Sequence, residues 1–284
     1  MPKHSYQFAA LGTEWVIETA SELPTELKKE IGKWLDDFDQ TYSRFRDDSL
    51  VSSLANAAGE YNFPDSATKI IDFYQKLYDA TDGKVTPLIG RTLESAGYDK
   101  TYSLKPDSLQ QTPKWEEVMK WQRSQVVTTT PLTLDIGAAG KGYAVDGVTS
   151  LLDHYNVREY VVDASGDIRH RGSDTQRIGL ENPWDMSKVI GVMELQNVSL
   201  CASASNRRAW GDWHHIIDPT SGTPVRDIVA TWVVSETAMI ADGLATALFF
   251  VGPEKLSQWQ FQYVRMYANG RVEYSSNLKG ELFV

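Results

Sequence analysis

The stretch Glu159-Tyr160-Val161-Val162-Asp163-Ala164-Ser165-Gly166-Asp167 reads as a short strand, rich in β-branched and aromatic residues, that runs into a tight polar turn. On its N-terminal side, Tyr143, Ala144, Val148, Leu151 and Leu152 recur at helical spacing and predict a helix over Lys141–Tyr155. On its C-terminal side strands dominate: Arg177–Glu181, Val189–Leu195, Val198–Ala202, His214–Ile217 and Ile228–Val234. Strands at hairpin spacing with a few inserted helices argue for an α+β fold with mainly antiparallel sheets, not a regular βαβ repeat.

The rest of the chain extends this pattern. Tyr6–Thr19, around Gly12, predicts two short strands or one bulged strand. Leu27, Ile31, Trp34, Leu35 and Phe38 predict an amphipathic helix over Thr25–Phe38, and Ile70, Ile71, Tyr74, Leu77 and Tyr78 predict another over Asp65–Thr81, stopped by Gly83. Val126–Leu134 alternates as a strand, Thr237–Phe250 predicts a last helix before Gly252-Pro253, and strands close the chain near Gln262–Ala268 and Val272–Tyr274. No repeat or Pro/Gly/Ser-rich linker divides the 284 residues, so residues 1–284 are expected to form one domain.

With 28 Lys plus Arg against 38 Asp plus Glu, the chain carries a net charge of −10 and lacks the basic footprint of a nucleic-acid binder. No apolar run reaches the roughly 18 residues of a membrane helix. The one cysteine, Cys201, excludes an internal disulfide and any cysteine-based zinc site. The start Met1-Pro2-Lys3-His4-Ser5-Tyr6 has no apolar core or lipid-bearing cysteine, which predicts a cytoplasmic protein as written, or a periplasmic one if a leader has been removed. Asn197-Val198-Ser199 fits a glycosylation sequon, a triplet common by chance.

Three segments carry chemistry. Gly137-Ala138-Ala139-Gly140-Lys141-Gly142 fails as a phosphate loop, because Asp135 stands five residues before Gly140 and Gly142 occupies the Ser/Thr position. It remains either a tight turn or a strand-to-helix junction whose free amides favour an anion. Asp242 and Thr246 stand at i and i+4 on one face of an apolar helix, where they either ligate a hard cation or make helix-terminal and back-bonding contacts. His214 and His215 face opposite ways if they lie in one strand, so at most one enters a given cleft, there as a base that titrates near neutral pH.

In order along the chain come Leu11-Gly12-Thr13, Tyr42-Ser43-Arg44-Phe45, Thr81-Asp82-Gly83-Lys84-Val85-Thr86-Pro87, Leu134-Asp135-Ile136-Gly137 with the glycine-rich run through Asp146, Ser165-Gly166-Asp167, His215-Ile216-Ile217-Asp218-Pro219 and Ala241-Asp242-Gly243-Leu244-Ala245-Thr246. With these motifs the sequence resembles the ApbE family of FAD:protein FMN transferases over nearly its whole length. The resemblance implies a T-fold-like catalytic domain, with FAD as substrate in a cleft lined by Leu11, Phe45, Lys84, Val85, Thr86, Lys141, Gly166, Asp167 and Ile216. It implies Mg²⁺ on Asp242, Thr246 and the main-chain carbonyl of Gly140, and His215 as the base. The implied reaction expels AMP from FAD and links FMN by a phosphoester to a Thr or Ser hydroxyl of an acceptor flavoprotein. An Mg²⁺-dependent FAD pyrophosphatase and a non-catalytic FAD carrier are the rival readings. Phe45 stands where many relatives have Tyr, Thr86 replaces an acidic residue, and Ala202-Ser203-Ala204 replaces a Thr-Ser-Gly.

Overall fold

A computed structural model describes residues 4–283; the reading of Met1-Pro2-Lys3 as a leaderless start lies outside them. The central feature is an eight-stranded sheet. Its strands run, in spatial order, His4–Ala10, Thr13–Thr19, Tyr160–Asp163, Asp167–Arg171, Ser199–Ala204, Ile228–Ser235, Phe261–Tyr267 and Val272–Tyr274. Every neighbouring pair is antiparallel.

Alternation along the strands divides the side chains between two buried faces. On Ser199–Ala204, Leu200 faces one core and Cys201 the other; on Ile228–Ser235, Ala230, Trp232 and Val234 share the face of Leu200, while Val233 shares that of Cys201. The Leu200 face is covered by a three-stranded sheet of Gln176–Asn182, Asp185–Leu195 and Gly280–Leu282, through Leu180, Ile190, Met193 and Leu195. The Cys201 face is covered by helices. Thr25–Tyr42 buries Leu27, Ile31, Leu35, Phe38 and Tyr42, a stripe at the helical period, and Ala67–Ala80 buries Ile70, Ile71, Tyr74 and Leu77. Gly140–His154 and Ala238–Ala247 lie between them and the sheet.

Two turns set one end of the sheet. In the loop between the first two strands, Leu11 and Gly12 have φ of 51° and 71°, and Ser165 and Gly166, in the turn of the opening stretch, have 54° and 100°. Two consecutive residues at positive φ make the mirror-image turn whose twist matches a two-residue hairpin. Ser165 Oγ donates to the Glu14 carbonyl at 2.9 Å and ties the two turns together.

Several elements differ from the sequence reading. The expected strand Val126–Leu134 is confined to Gln125–Thr128, since Pro131 has no N–H for a ladder and Leu132 N donates instead to the Leu54 carbonyl. The expected strand His214–Ile217 is broken into Trp213–His214 and Ile217–Asp218, because the His214 ring takes the Ile216 N–H on Nδ1 and bonds the Val225 carbonyl through Nε2. The first helix continues four residues past Phe38, and the last ends at Ala247. Asp167–Arg171, a strand with three charged residues and a histidine, escaped detection because its polar residues mask the alternation.

Candidate active site

All thirteen positions singled out in the sequence line one cleft of about 770 Å³. Leu11, Phe45, Lys84, Val85, Thr86, Gly140, Lys141, Gly166, Asp167, His215, Ile216, Asp242 and Thr246 come together there. That volume lies within the range of cofactor and ligand sites.

The floor of the cleft is made where helices Gly140–His154 and Ala238–Ala247 meet. A side chain at Gly142 would collide with the Ala238 carbonyl and come within 2.8 Å of the Asp242 Cβ, so only glycine permits this approach. The closeness lets each helix cap the other. Gly142 N, a first-turn amide without an intrahelical partner, donates to Asp242 Oδ2 at 2.9 Å. In return Asp146 accepts from Ala238 N at 2.9 Å and Met239 N at 3.0 Å, where the Thr237 hydroxyl also receives Ile240 N. Asp242 therefore does not cap its own helix, and Thr246 does not bond back along it. The Thr246 hydroxyl donates to the Ala138 carbonyl at 3.4 Å, two residues ahead of the expected Gly140.

Asp242 and Asp167 are both buried, at 5 % and 1 % exposure. Burial raises the Asp242 carboxyl far above the usual carboxylate range, and the Asp167 charge adds to the rise. Burial likewise raises Asp167, against the pull of Lys141, whose ammonium stands 3.4 Å from Oδ2. Neither Asp167 oxygen has a hydrogen-bond donor. Were both ionised, two carboxylates facing one ammonium would leave a local deficit of positive charge, and that is why burial and mutual repulsion hold protons on the pair. Cys201 lies beneath them with its thiol on the Ala238 carbonyl and its pKa driven up by burial, so it is inert.

His215 borders the same space. Its Nδ1 is buried and unpartnered, and burial, helped by Arg208 and His214, pushes the ring down to about 3. The imidazole is thus neutral at physiological pH. Lys84 grips both oxygens of Asp218 at 2.8 and 2.7 Å and the Thr220 hydroxyl at 3.0 Å, which holds the turn after His215 against the Lys84–Thr86 wall. Burial opposes ionisation of Asp218, but this grip wins and keeps its carboxyl below the usual range. The Thr86 hydroxyl accepts Leu88 N and caps a single helical turn, so its side chain is already engaged.

Three groups that sequence reasoning did not assign complete the site. Asp135 receives Gly137 N on Oδ1 at 2.7 Å and Arg44 Nε on Oδ2 at 2.6 Å, bracing the glycine-rich turn. Arg44 in turn lies 4.2 Å from the Phe45 ring centre and 5.0 Å from that of Tyr98. Tyr102 stacks on Phe45 with ring centres 5.5 Å apart and planes 6° from parallel. The cleft thus has an aromatic, cationic end and a glycine-and-carboxylate end.

Fold and site define a mainly antiparallel α+β protein with a cofactor-sized cleft floored by two mutually capping helices. The ApbE family match extends over residues 11–267, and the chain belongs to that family. A Klebsiella pneumoniae relative called FAD:protein FMN transferase is 26 % identical over 277 residues, covering 87 % of this chain and 78 % of its own. An Escherichia coli K12 relative of the same name is 23 % identical, with the same coverage of both chains. Among solved structures, the ApbE protein of Thermotoga maritima superposes with a TM-score of 0.85 at 22 % identity, and the flavin transferase ApbE of Vibrio cholerae with 0.81 at 23 %. Each superposition covers 96 % of this chain and 97 % of the other. Among the described residues no helix is long and apolar enough to cross a membrane, and no three His, Cys, Asp or Glu form a metal-ligating group.

Proposed function

We propose that this single domain is an FAD:protein FMN transferase: it cleaves FAD, releases AMP and joins FMN to a Thr or Ser hydroxyl of an acceptor protein. The observation that carries the reading is the paired burial of Asp167 and Asp242 beside Lys141, with the unpartnered Nδ1 of His215 bordering the same cleft. The deficit of positive charge at the carboxylates fits a divalent cation, and a hard ion such as Mg²⁺ takes one or two carboxylates with hydroxyl, carbonyl and water oxygens. Asp242, Thr246 and a carbonyl of the glycine-rich turn would hold it, with Gly140 the carbonyl implied by the family and Ala138 the one that Thr246 meets. When bound, Mg²⁺ neutralises charge on the transferring phosphoryl group and on the departing AMP.

The chain's own groups do the rest. Lys141, at the start of Gly140–His154 and lining the cleft, attracts the pyrophosphate, since the amides of Gly140 and Gly142 on either side of it are already engaged. Neutral His215 accepts the acceptor hydroxyl proton on Nδ1 as that oxygen attacks the FMN phosphorus, while the bond from phosphorus to the AMP oxygen breaks. The pyrophosphate, once bound, raises the His215 pKa from its resting low value and strengthens it as a base.

Incubation with FAD and Mg²⁺, with and without a candidate acceptor, tests the reading. AMP together with a covalently fluorescent acceptor is the expected result, abolished by chelator and by Asp242→Ala. AMP and free FMN without acceptor would make the protein a pyrophosphatase, and no AMP at all would make it a carrier.

A further inference from the structure

Arg44 is 3 % exposed, yet only its Nε has a partner, Asp135 Oδ2. Nη1 and Nη2 are buried with no hydrogen-bond acceptor. Leaving a guanidinium's donors unmet in a dry environment is costly, and here the cost falls on a residue that lines the cleft against two aromatic rings. In the resting protein the rings of Phe45 and Tyr98 offer the cation only their π-faces.

Resting on the functional reading above, we propose that Arg44 is a specificity-determining residue whose Nη1/Nη2 fork receives the dione edge of the flavin ring. The argument is one of donor and acceptor pattern. A guanidinium fork presents two parallel donors and matches two neighbouring acceptors. The isoalloxazine edge supplies such pairs, a ring nitrogen beside a carbonyl oxygen. Adenine's Watson–Crick and Hoogsteen edges instead put an amino donor beside each ring acceptor, so one arm of the fork would stay unpaired. Tyr102, stacked on Phe45 by one face and 55 % exposed, keeps its other face open for the tricyclic ring, and the path Arg44–Asp135–Gly137 runs from that ring to the turn proposed to meet the phosphates.

The test compares FMN, which keeps the flavin, with AMP, which keeps the adenine, in titrations of the unmodified chain and of Arg44→Lys. Lysine retains the charge for Asp135 but not the fork. The expected result is FMN affinity weakened about tenfold or more with AMP affinity changed by less than about twofold, the signature of lost hydrogen bonds to one ring. An equal loss for both ligands would assign Arg44 a purely structural role and overturn the proposal, as would loss for AMP alone or no loss for FMN. Arg44→Gln, checked for a folded state by its melting transition, should reproduce the FMN-selective loss. If the unmodified chain binds neither FAD nor FMN, the functional reading itself falls; if it binds both and Arg44→Lys binds FMN equally well, only the role of Arg44 falls.

Discussion

A histidine whose ring nitrogen is shielded from water is a neutral histidine, and the base role proposed for His215 rests on that. Because its folded pKa of about 3 lies below the ordinary 6.5, the folded state binds fewer protons than the unfolded one between those values. The stability it contributes is complete above pH 6.5 and is lost as pH falls below it. For the reaction, the acid limb of kcat/KM reports the free protein and should lie well below pH 6.5. His215→Asn should cut transfer by roughly 10²-fold or more while FAD affinity stays nearly constant, as measured by AMP release and by titration. Equal loss of both would remove the base assignment. His215 was legible in sequence through the motif it heads. Arg44 stood in a quoted motif, but nothing local marks its function, because its partner Asp135 lies 91 residues away in the chain.

At the scale of elements, the site depends on how closely two helices approach. The helix periods were plain in the sequence, and so was the i, i+4 pairing of Asp242 with Thr246. What sequence could not supply was the exchange of caps, because Asp146 and Ala238 are 92 positions apart and Gly142 and Asp242 are 100 apart. Gly142→Ala forces its methyl against the Ala238 carbonyl and should destabilise the fold by about 2–3 kcal/mol, read from denaturant unfolding. The same variant should lose activity beyond what its residual folded fraction explains, since separating the helices also moves Asp242. Full activity in a folded Gly142→Ala protein would show that the close approach is dispensable. The broken His214–Ile217 segment teaches a related lesson. Its residues alternate suitably for a strand, but a histidine ring that captures the local backbone overrides the pattern.

For the whole molecule, the net charge of −10 becomes acute where Asp167 and Asp242 are buried together. A cation that binds there stabilises only the folded state, by about 2.7 kcal/mol at a hundredfold excess over its Kd. Mg²⁺ should therefore raise the melting temperature by several degrees, and in Asp242→Asn that increment should vanish while the metal-free protein melts no lower than the parent. An unchanged Mg²⁺ increment in Asp242→Asn would place the ion elsewhere.

The eight-stranded sheet has one more consequence, which concerns time. Thr13–Thr19 pairs with Tyr160–Asp163, about half the chain away, and the last helical wall of the cleft lies at Ala238–Ala247. Pairings of such long sequence separation close late and slowly in folding. A ribosome-bound chain presents the loop at Leu11 long before Asp242 has been synthesised, so the cleft cannot close around a ligand until the Ala238–Ala247 helix has left the ribosome.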